Sequence, residues 1–249
     1  MTHIELQKYK NTLNELNLIE YAGRVTRVIG LTIESKGPKA NIGEICRICN
    51  DKHQEEVFAE IVGFKENKVL LMPFGDMRGI GPGNQVISEG RTLRVSVGNQ
   101  LIGRILDGLG NPIDGKKAIQ AEEYYPVNNV PPNPLKRQRI VQPMPLGIKA
   151  IDGLLTVGKG QRIGIFAGSG VGKSTLIGMI ARNTKADINV IALIGERGRE
   201  VREFIEKDLG EEGLKRSVII VATSDQPALI RLKGAFLATS IAEYFRDQG

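Results

Sequence analysis

The spacing of apolar residues changes along the chain, and each change predicts a different kind of element. In residues 1–20, Leu6, Tyr9, Leu13 and Leu16 recur at alternating intervals of three and four, with Lys8, Lys10 and Glu15 off the stripe. That period predicts an amphipathic helix; such a helix is more often packed on its own domain than used for docking, and its place at a terminus shifts the balance toward docking. Over residues 21–97 the pattern becomes short β-rich runs: RVTRVIGLTIES, GEICRIC, EEVFAEIVGF, NKVLLMPF, NQVISEG and RTLRVSVG. Regularly spaced short strands broken by glycine and proline predict a small barrel or sandwich. The stretch FGDMRGIGPGNQ, with four glycines and one proline, predicts a tight turn within it.

Residues 98–160 lose that rhythm. LDGLGNPIDG is dense in turn residues, and prolines and polar residues crowd positions 126–145. This predicts an extended connection leading into a core, rather than a helix or central strand. From residue 161 to 249 the order is strand, loop, helix, repeated: RIGIFAG before a helix starting near Gly172, NVIALIG before GREVREFIEKDLG, and SVIIVAT before QPALIRLKGAFLATSIAEYFRD. Continuous apolar strands alternating with helices imply a parallel sheet covered on both faces. The predicted class is α/β, with a small N-terminal β-barrel followed by an incomplete parallel-sheet domain.

Composition narrows the function classes. A chain of 249 residues can hold two ordinary domains with real cores. Lysine and arginine exceed aspartate and glutamate by six without forming one dense basic block, and aromatic residues make up 5% of the chain. Base stacking on a nucleic acid is therefore a poor expectation, while weak attraction to an acidic membrane surface stays open. No secretory signal opens the chain, and no apolar run approaches the ~20 residues of a membrane helix. A cytoplasmic protein is the default expectation. Cys46 and Cys49, with His53 nearby, superficially resemble a metal site, but positions three apart on a strand face opposite ways and a fourth ligand is missing. Two buried small hydrophobes are expected instead.

The strongest chemical signal is RIGIFAGSGVGKSTL, an apolar run ending in a glycine-rich turn that opens a helix. In that context Gly168, Ser169, Gly170, Val171, Gly172, Lys173, Ser174 and Thr175 form a phosphate-cradling loop. Glycines let backbone N–H groups curl around phosphate oxygens, and the helix N-terminus adds partial positive charge. Lys173 would reach the β- and γ-phosphates and the Ser174 hydroxyl would ligate Mg²⁺. Ala167 stands where the eight-residue pattern has its first glycine, at a position that closes the strand. Downstream, Glu196 and Arg197 follow NVIALIG, at the carboxyl end of a predicted parallel strand where ligands of such sheets bind. A carboxylate there can orient a water for attack on a γ-phosphate, although a loop ion pair explains the same residues. Asp225 is read as a bystander, because Ala222, Thr223 and Ser224 separate it from the apolar run.

Together FGDMRGIGPG, VGNQLIGRILDGLGNPIDG, PLGIKAIDGLLTVGKGQRIGIFAGSGVGKSTL, IGERGREVREFIE and VATSDQPALIRLKGAFLATSIAEYFRDQG closely resemble the flagellar and virulence type III export ATPases, relatives of rotary ATP synthase catalytic subunits. The resemblance runs from about residue 20 to the end. It implies a six-stranded barrel, a RecA-like P-loop core and ATP with Mg²⁺ as ligands. Glu196 becomes the catalytic carboxylate, and Arg197 an arginine near the γ-phosphate.

The resemblance also implies a homohexamer at the cytoplasmic face of the inner membrane, a stator-like negative regulator gripping the N-terminal segment, and contacts with the export apparatus, chaperones and exported proteins. It places the magnesium-associated aspartate, the arginine finger and the adenine-flanking residues after FRDQG. The chain then corresponds to the N-terminal half of such an ATPase, with a partial core over residues 161–249 that exposes an apolar edge and turns over poorly alone. A non-catalytic docking role is the alternative. Flagellar and virulence versions share these motifs, with a lean toward flagellar, and an RNA-dependent motor is disfavoured by the same scarcity of aromatics.

Overall fold

The computed structural model describes residues 22–50, 55–168 and 170–249. The amphipathic helix expected on residues 1–20, His53 and Ser169 lie outside the described residues. The chain divides into two compact units, Met1–Leu93 and Arg94–Gly249.

In the first unit, β1 (Ala22–Ile29), β2 (Thr32–Lys36), β3 (Glu44–Asn50), β4 (Glu55–Lys65), β5 (Lys68–Pro73) and β6 (Gln85–Thr92) form a closed barrel in the order β1-β2-β5-β4-β3-β6. Every neighbouring pair is antiparallel, so each strand has a partner on both edges and none is left open. Alternation sends Val25, Ile33, Ile48, Ile61, Leu71 and Val86 into one core. The turn between β4 and β5 uses Glu66 and Asn67, both at positive φ (48° and 61°), the hairpin geometry that matches strand twist. Gly23 is fixed for a different reason: a Cβ there would lie 2.2 Å from the Gly37 carbonyl carbon.

Strand β3 resolves the cysteine pair. Cys46 points into the barrel core and is fully buried, while Cys49 is half-exposed. Burial pushes the Cys46 thiol up to about 12, which keeps it an unreactive thiol.

In the second unit, β7 (Arg94–Val97) pairs antiparallel with β9 (Glu123–Pro126). The strand-rich texture of the sequence continues to Val97, but β7 joins this separate ribbon and not the barrel. Between them lies β8 (Ile105–Asp107), and after them α1 (Lys149–Leu154), α2 (Lys173–Asn183) and β10 (Asn189–Ile194). A helical segment follows as α3 (Gly198–Glu203), a π-helical turn (Phe204–Leu209) and α4 (Gly210–Leu214), then β11 (Ser217–Ala222) and α5 (Ala228–Asp247). The sheet is parallel, in the order β10-β11-β8.

Period-2 alternation on β11 explains how both faces are covered. Ile219 packs with Ala181 of α2 and with Phe204 and Leu209 of the π-helical turn. On the other face Gly234 of α5 sits where a Cβ would approach Ile194, Gly108 and Ala222 within 3.4 Å. The expectation of a parallel sheet clothed on both sides therefore holds.

Two features differ from the sequence reading. Strand β8 falls inside the stretch read as a connection, yet Ile105 and Asp107 pair in register with Ile219 and Val221. It is anchored by Arg104, whose Nε donates to Asp114 Oδ2 at 2.6 Å, with both side chains mostly buried. The larger correction concerns residues 162–168, expected as a buried strand. They belong to no sheet, and Phe166 is 96% and Ile163 46% exposed. Apolar composition does not make a strand without a hydrogen-bonded neighbour. Among the described residues β10 pairs only with β11, and no strand lies beside 162–168.

Candidate functional site

The glycine-rich loop keeps its predicted turn even though its lead-in is unpaired. Gly170 (φ 76°) and Gly172 (φ 93°, ψ 17°) both adopt the left-handed conformation, which a side chain would strain. Gly172 caps α2, and its carbonyl accepts from the Leu176 N–H at 2.9 Å. The helix thus begins at Lys173, one residue after the start expected near Gly172, with Ser174 and Thr175 exposed in its first turn. A Cβ at Gly168, Gly170 or Gly172 would meet nothing within 4 Å. Space is open beside these three glycines, as close approach of an anion to their backbone requires.

The far end of α2 is held in place. Its last turn crosses Gly147, where a Cβ would lie 2.3 Å from the Asn183 Cβ. Arg216 donates to the carbonyls of Ala181 and Thr184 at 2.6 and 3.0 Å, satisfying groups that the helix leaves unpaired. Midway, Gly178 is buried against the π-helical turn, with the Asp208 carbonyl oxygen 2.5 Å from where its Cβ would be. No larger residue fits that crossing without displacing backbone.

Glu196 reaches the loop from the sheet. The Gly195 N–H donates to the Ala222 carbonyl at 2.7 Å, and the Ser224 N–H donates to the Glu196 carbonyl at 3.0 Å. These bonds tie the segment after β10 to the segment after β11. The result brings two of the sequence-selected residues together: Lys173 Nζ lies 3.8 Å from Glu196 Oε1, with both side chains partly exposed.

Arg197 is beside them but engaged elsewhere. Its Nη1 donates to Glu200 Oε1 at 2.8 Å. That hydrogen bond, with the charges of Arg197 and Arg199, holds the Glu200 carboxyl below its ordinary value; the same bond, with the charges of Glu200 and Glu196, raises the Arg197 guanidinium. Sequence reading missed Glu200, although the i,i+3 spacing of Arg197 and Glu200 at a helix start was a usable signal. Asp225 is exposed, and a hydrogen bond from Thr223 lowers its carboxyl.

The site can therefore do three things chemically. It presents a backbone concavity, a cation beside a carboxylate, and a hydroxyl one residue from that cation. Among the described residues no cluster of three or more His, Cys, Asp or Glu forms a metal cage. No described helix is long and apolar enough to cross a membrane.

Comparison with known proteins adds to this geometry. The family model described as the ATP synthase alpha/beta family, beta-barrel domain, matches residues 25–90, and that family's nucleotide-binding domain matches residues 147–249. The Flagellum-specific ATP synthase of Bacillus subtilis (strain 168) is 60% identical over 91% of this chain and 52% of its own length. The Type 3 secretion system ATPase of Xanthomonas euvesicatoria is 50% identical over 91% of this chain and 51% of its own. Among solved structures, the assembled ATPase EscN in complex with its central stalk EscO, from the type III secretion system of enteropathogenic E. coli, superposes with a TM-score of 0.82. It is 48% identical and is matched over 91% of this chain and 55% of its own. The chain spans about half the length of the curated relatives it matches.

Proposed function

The chain belongs to the ATP synthase alpha/beta family, and we propose that in the whole protein it serves ATP hydrolysis that powers flagellar or type III protein export. The observation that carries this reading is the meeting of Lys173 and Glu196, 3.8 Å apart, at the open mouth of a left-handed glycine loop. Gly168, Ser169, Gly170, Val171 and Gly172 supply backbone donors for the phosphates. Lys173 takes the β- and γ-phosphate charge, and Thr175 extends the donor row in the first turn of α2. Glu196 orients the attacking water, and Arg197 offsets charge near the γ-phosphate.

The donor set fits magnesium. Mg²⁺ is a hard ion that binds through one or two protein oxygens plus phosphates rather than in an all-protein cage. Ser174 offers an exposed hydroxyl one residue after Lys173, and Glu196 offers a carboxylate nearby. When bound, the metal supplies charge neutralisation on the phosphate oxygens. Lys173, Glu196 and Arg197 bind and orient around that charge.

The 249-residue chain by itself binds nucleotide but turns over negligibly, since the exposed lead-in at 162–168 leaves the loop without a sheet beneath it. In the whole protein that segment becomes a paired strand, with its neighbours supplied by the half of the relatives' length outside this chain. EscN is solved as an assembly with a central stalk. That supports a ring of copies, a homohexamer, as the working form here. The residue 1–20 segment docks a stator-like regulator, with the export apparatus, chaperones and exported proteins as further partners. The protein acts in the cytoplasm at the inner face of the membrane, whose acidic lipids attract it weakly. The flagellum-specific relative at 60% identity, against 50% for a type 3 secretion relative, supports a lean toward the flagellar assignment.

Titration of the chain with a fluorescent nucleotide tests the reading. Binding that Lys173→Ala reduces by about 100-fold, through loss of charge-assisted contacts, supports it. Equal binding by wild type and variant overturns it.

A further inference from the structure

The barrel has a cavity of about 510 Å³ at one end, between residues 37–40, which follow β2, and residues 64–69, at the β4–β5 hairpin. That volume lies in the ordinary range of a binding pocket. Its wall is mixed: Phe64 is 52% exposed, and Lys39 and Lys65 stand open to solvent. Lys68 is held by Glu34 at 2.8 Å, and Glu66 adds one opposing charge. An exposed phenyl ring flanked by cations fits an apolar segment that carries carboxylates.

The chain enters the barrel at this same end. Strand β1 begins at Ala22, Arg24 pairs with Lys36, and Ser35 pairs with Val69 of the cavity wall. The buried Ser35 hydroxyl lies 3.0 Å from the Arg24 carbonyl oxygen and 2.5 Å from that of Gly37. Gly23 then packs directly on the backbone of Gly37 and Pro38, where any Cβ would collide. Residues 1–21 therefore arrive at the edge of the cavity. The nearest positions of their apolar stripe, Leu13 and Leu16, come with Glu15 and Glu20, and no lysine or arginine lies between Leu13 and Tyr21. Leu16 is six residues before Ala22, at most about 22 Å of extended chain.

We propose that residues 1–21 dock in this cavity of their own barrel, with Leu13 and Leu16 against Phe64 and with Glu15 and Glu20 meeting Lys39 and Lys65. A tether this short supplies an effective concentration on the order of millimolar, so a weak contact is enough to populate the docked state. Any partner that grips residues 1–20 must then compete with the barrel for the same stripe. The inference stands apart from the phosphate-loop reading.

The chain has no tryptophan, so Phe64→Trp makes a single reporter at a half-open position. Emission and acrylamide quenching are measured on this full chain, on the same chain with Leu13→Asp and Leu16→Asp, and on the same chain with Glu15→Lys and Glu20→Lys. Circular dichroism and thermal melting check the fold of each, and if the Asp variant melts earlier the Lys variant decides. The expected result is a red shift with stronger quenching in the Asp variant, and a smaller shift of the same sign in the Lys variant. Identical emission and quenching in all three overturns the inference, and a shift in the Asp variant alone overturns the charge pairing. A difference that fades on dilution assigns the cavity to the segment of a second copy and overturns docking within one chain. Protection of the reporter that appears only with phosphatidylglycerol vesicles assigns the cavity to an anionic lipid surface and overturns it likewise.

Discussion

The two units, Met1–Leu93 and Arg94–Gly249, use apolar sequence differently. In Met1–Leu93 the sheet closes on itself, so each described strand finds both neighbours within the unit, and Val25, Ile33, Ile48, Ile61, Leu71 and Val86 turn inward. In Arg94–Gly249 a three-stranded parallel sheet is covered on both faces, yet among the described residues no strand lies beside the apolar run before the phosphate loop, and Phe166 is almost fully exposed. A barrel completes its own hydrogen bonding. An open parallel sheet depends on strands contributed from elsewhere in sequence. The lesson is that apolar pattern specifies a strand only where its partners are within reach.

Matched substitutions test that contrast most strongly. Leu71 is fully buried in the barrel, and Leu71→Asp places an unpaired charge there. Stability of the barrel should fall by about 4 kcal/mol or more, enough to abolish its unfolding transition in urea.

A smaller, pH-dependent effect belongs to the second unit. The Arg104 guanidinium, with backbone N–H groups of Lys116 and Ile105, holds the Asp114 carboxyl down at about 2, below its ordinary 3.8. A carboxyl lowered on folding contributes stability above its unfolded value and loses it as pH falls through the folded one. That contribution, about 2 kcal/mol, should be present above pH ~4 and lost between pH ~4 and ~2. Acid titration of unfolding should show this loss in wild type and not in Asp114→Asn.

The smallest effect is the counterpart of the first. Phe166→Asp alters a side chain that is 96% exposed, so the chain's stability should change by no more than about 0.5 kcal/mol. Its solubility should rise. A destabilisation approaching that of Leu71→Asp would mean that residues 162–168 are paired in solution and that the contrast between the units is wrong.

Much of this fold was legible because period and punctuation agreed. The barrel strands are short β-rich runs cut by glycine and proline, β10 and β11 are apolar after their first residue, and α5 runs for 20 residues. Strand β8 was not legible, since three residues between turn-forming segments carry no period, and its pairing with β11 spans more than a hundred positions. The π-helical turn was hidden for a related reason: Ile205 and Leu209, four apart, satisfy an ordinary helical pattern, and only packing against Gly178 of α2 reveals the wider turn. In the site, the loop glycines and the helix start at Lys173 were readable from local conformation alone. The approach of Glu196 to Lys173 depends on sheet topology, and the hold of Glu200 on Arg197 on rotamer choice.

The central claim is that the chain carries a working phosphate loop without a complete catalytic assembly. The direct measurement is nucleotide binding and phosphate release on the same preparation, as wild type and with Lys173→Ala and Glu196→Gln. The account predicts binding that Lys173→Ala removes, with phosphate release at background in all three. Robust release by wild type that Glu196→Gln abolishes would contradict it.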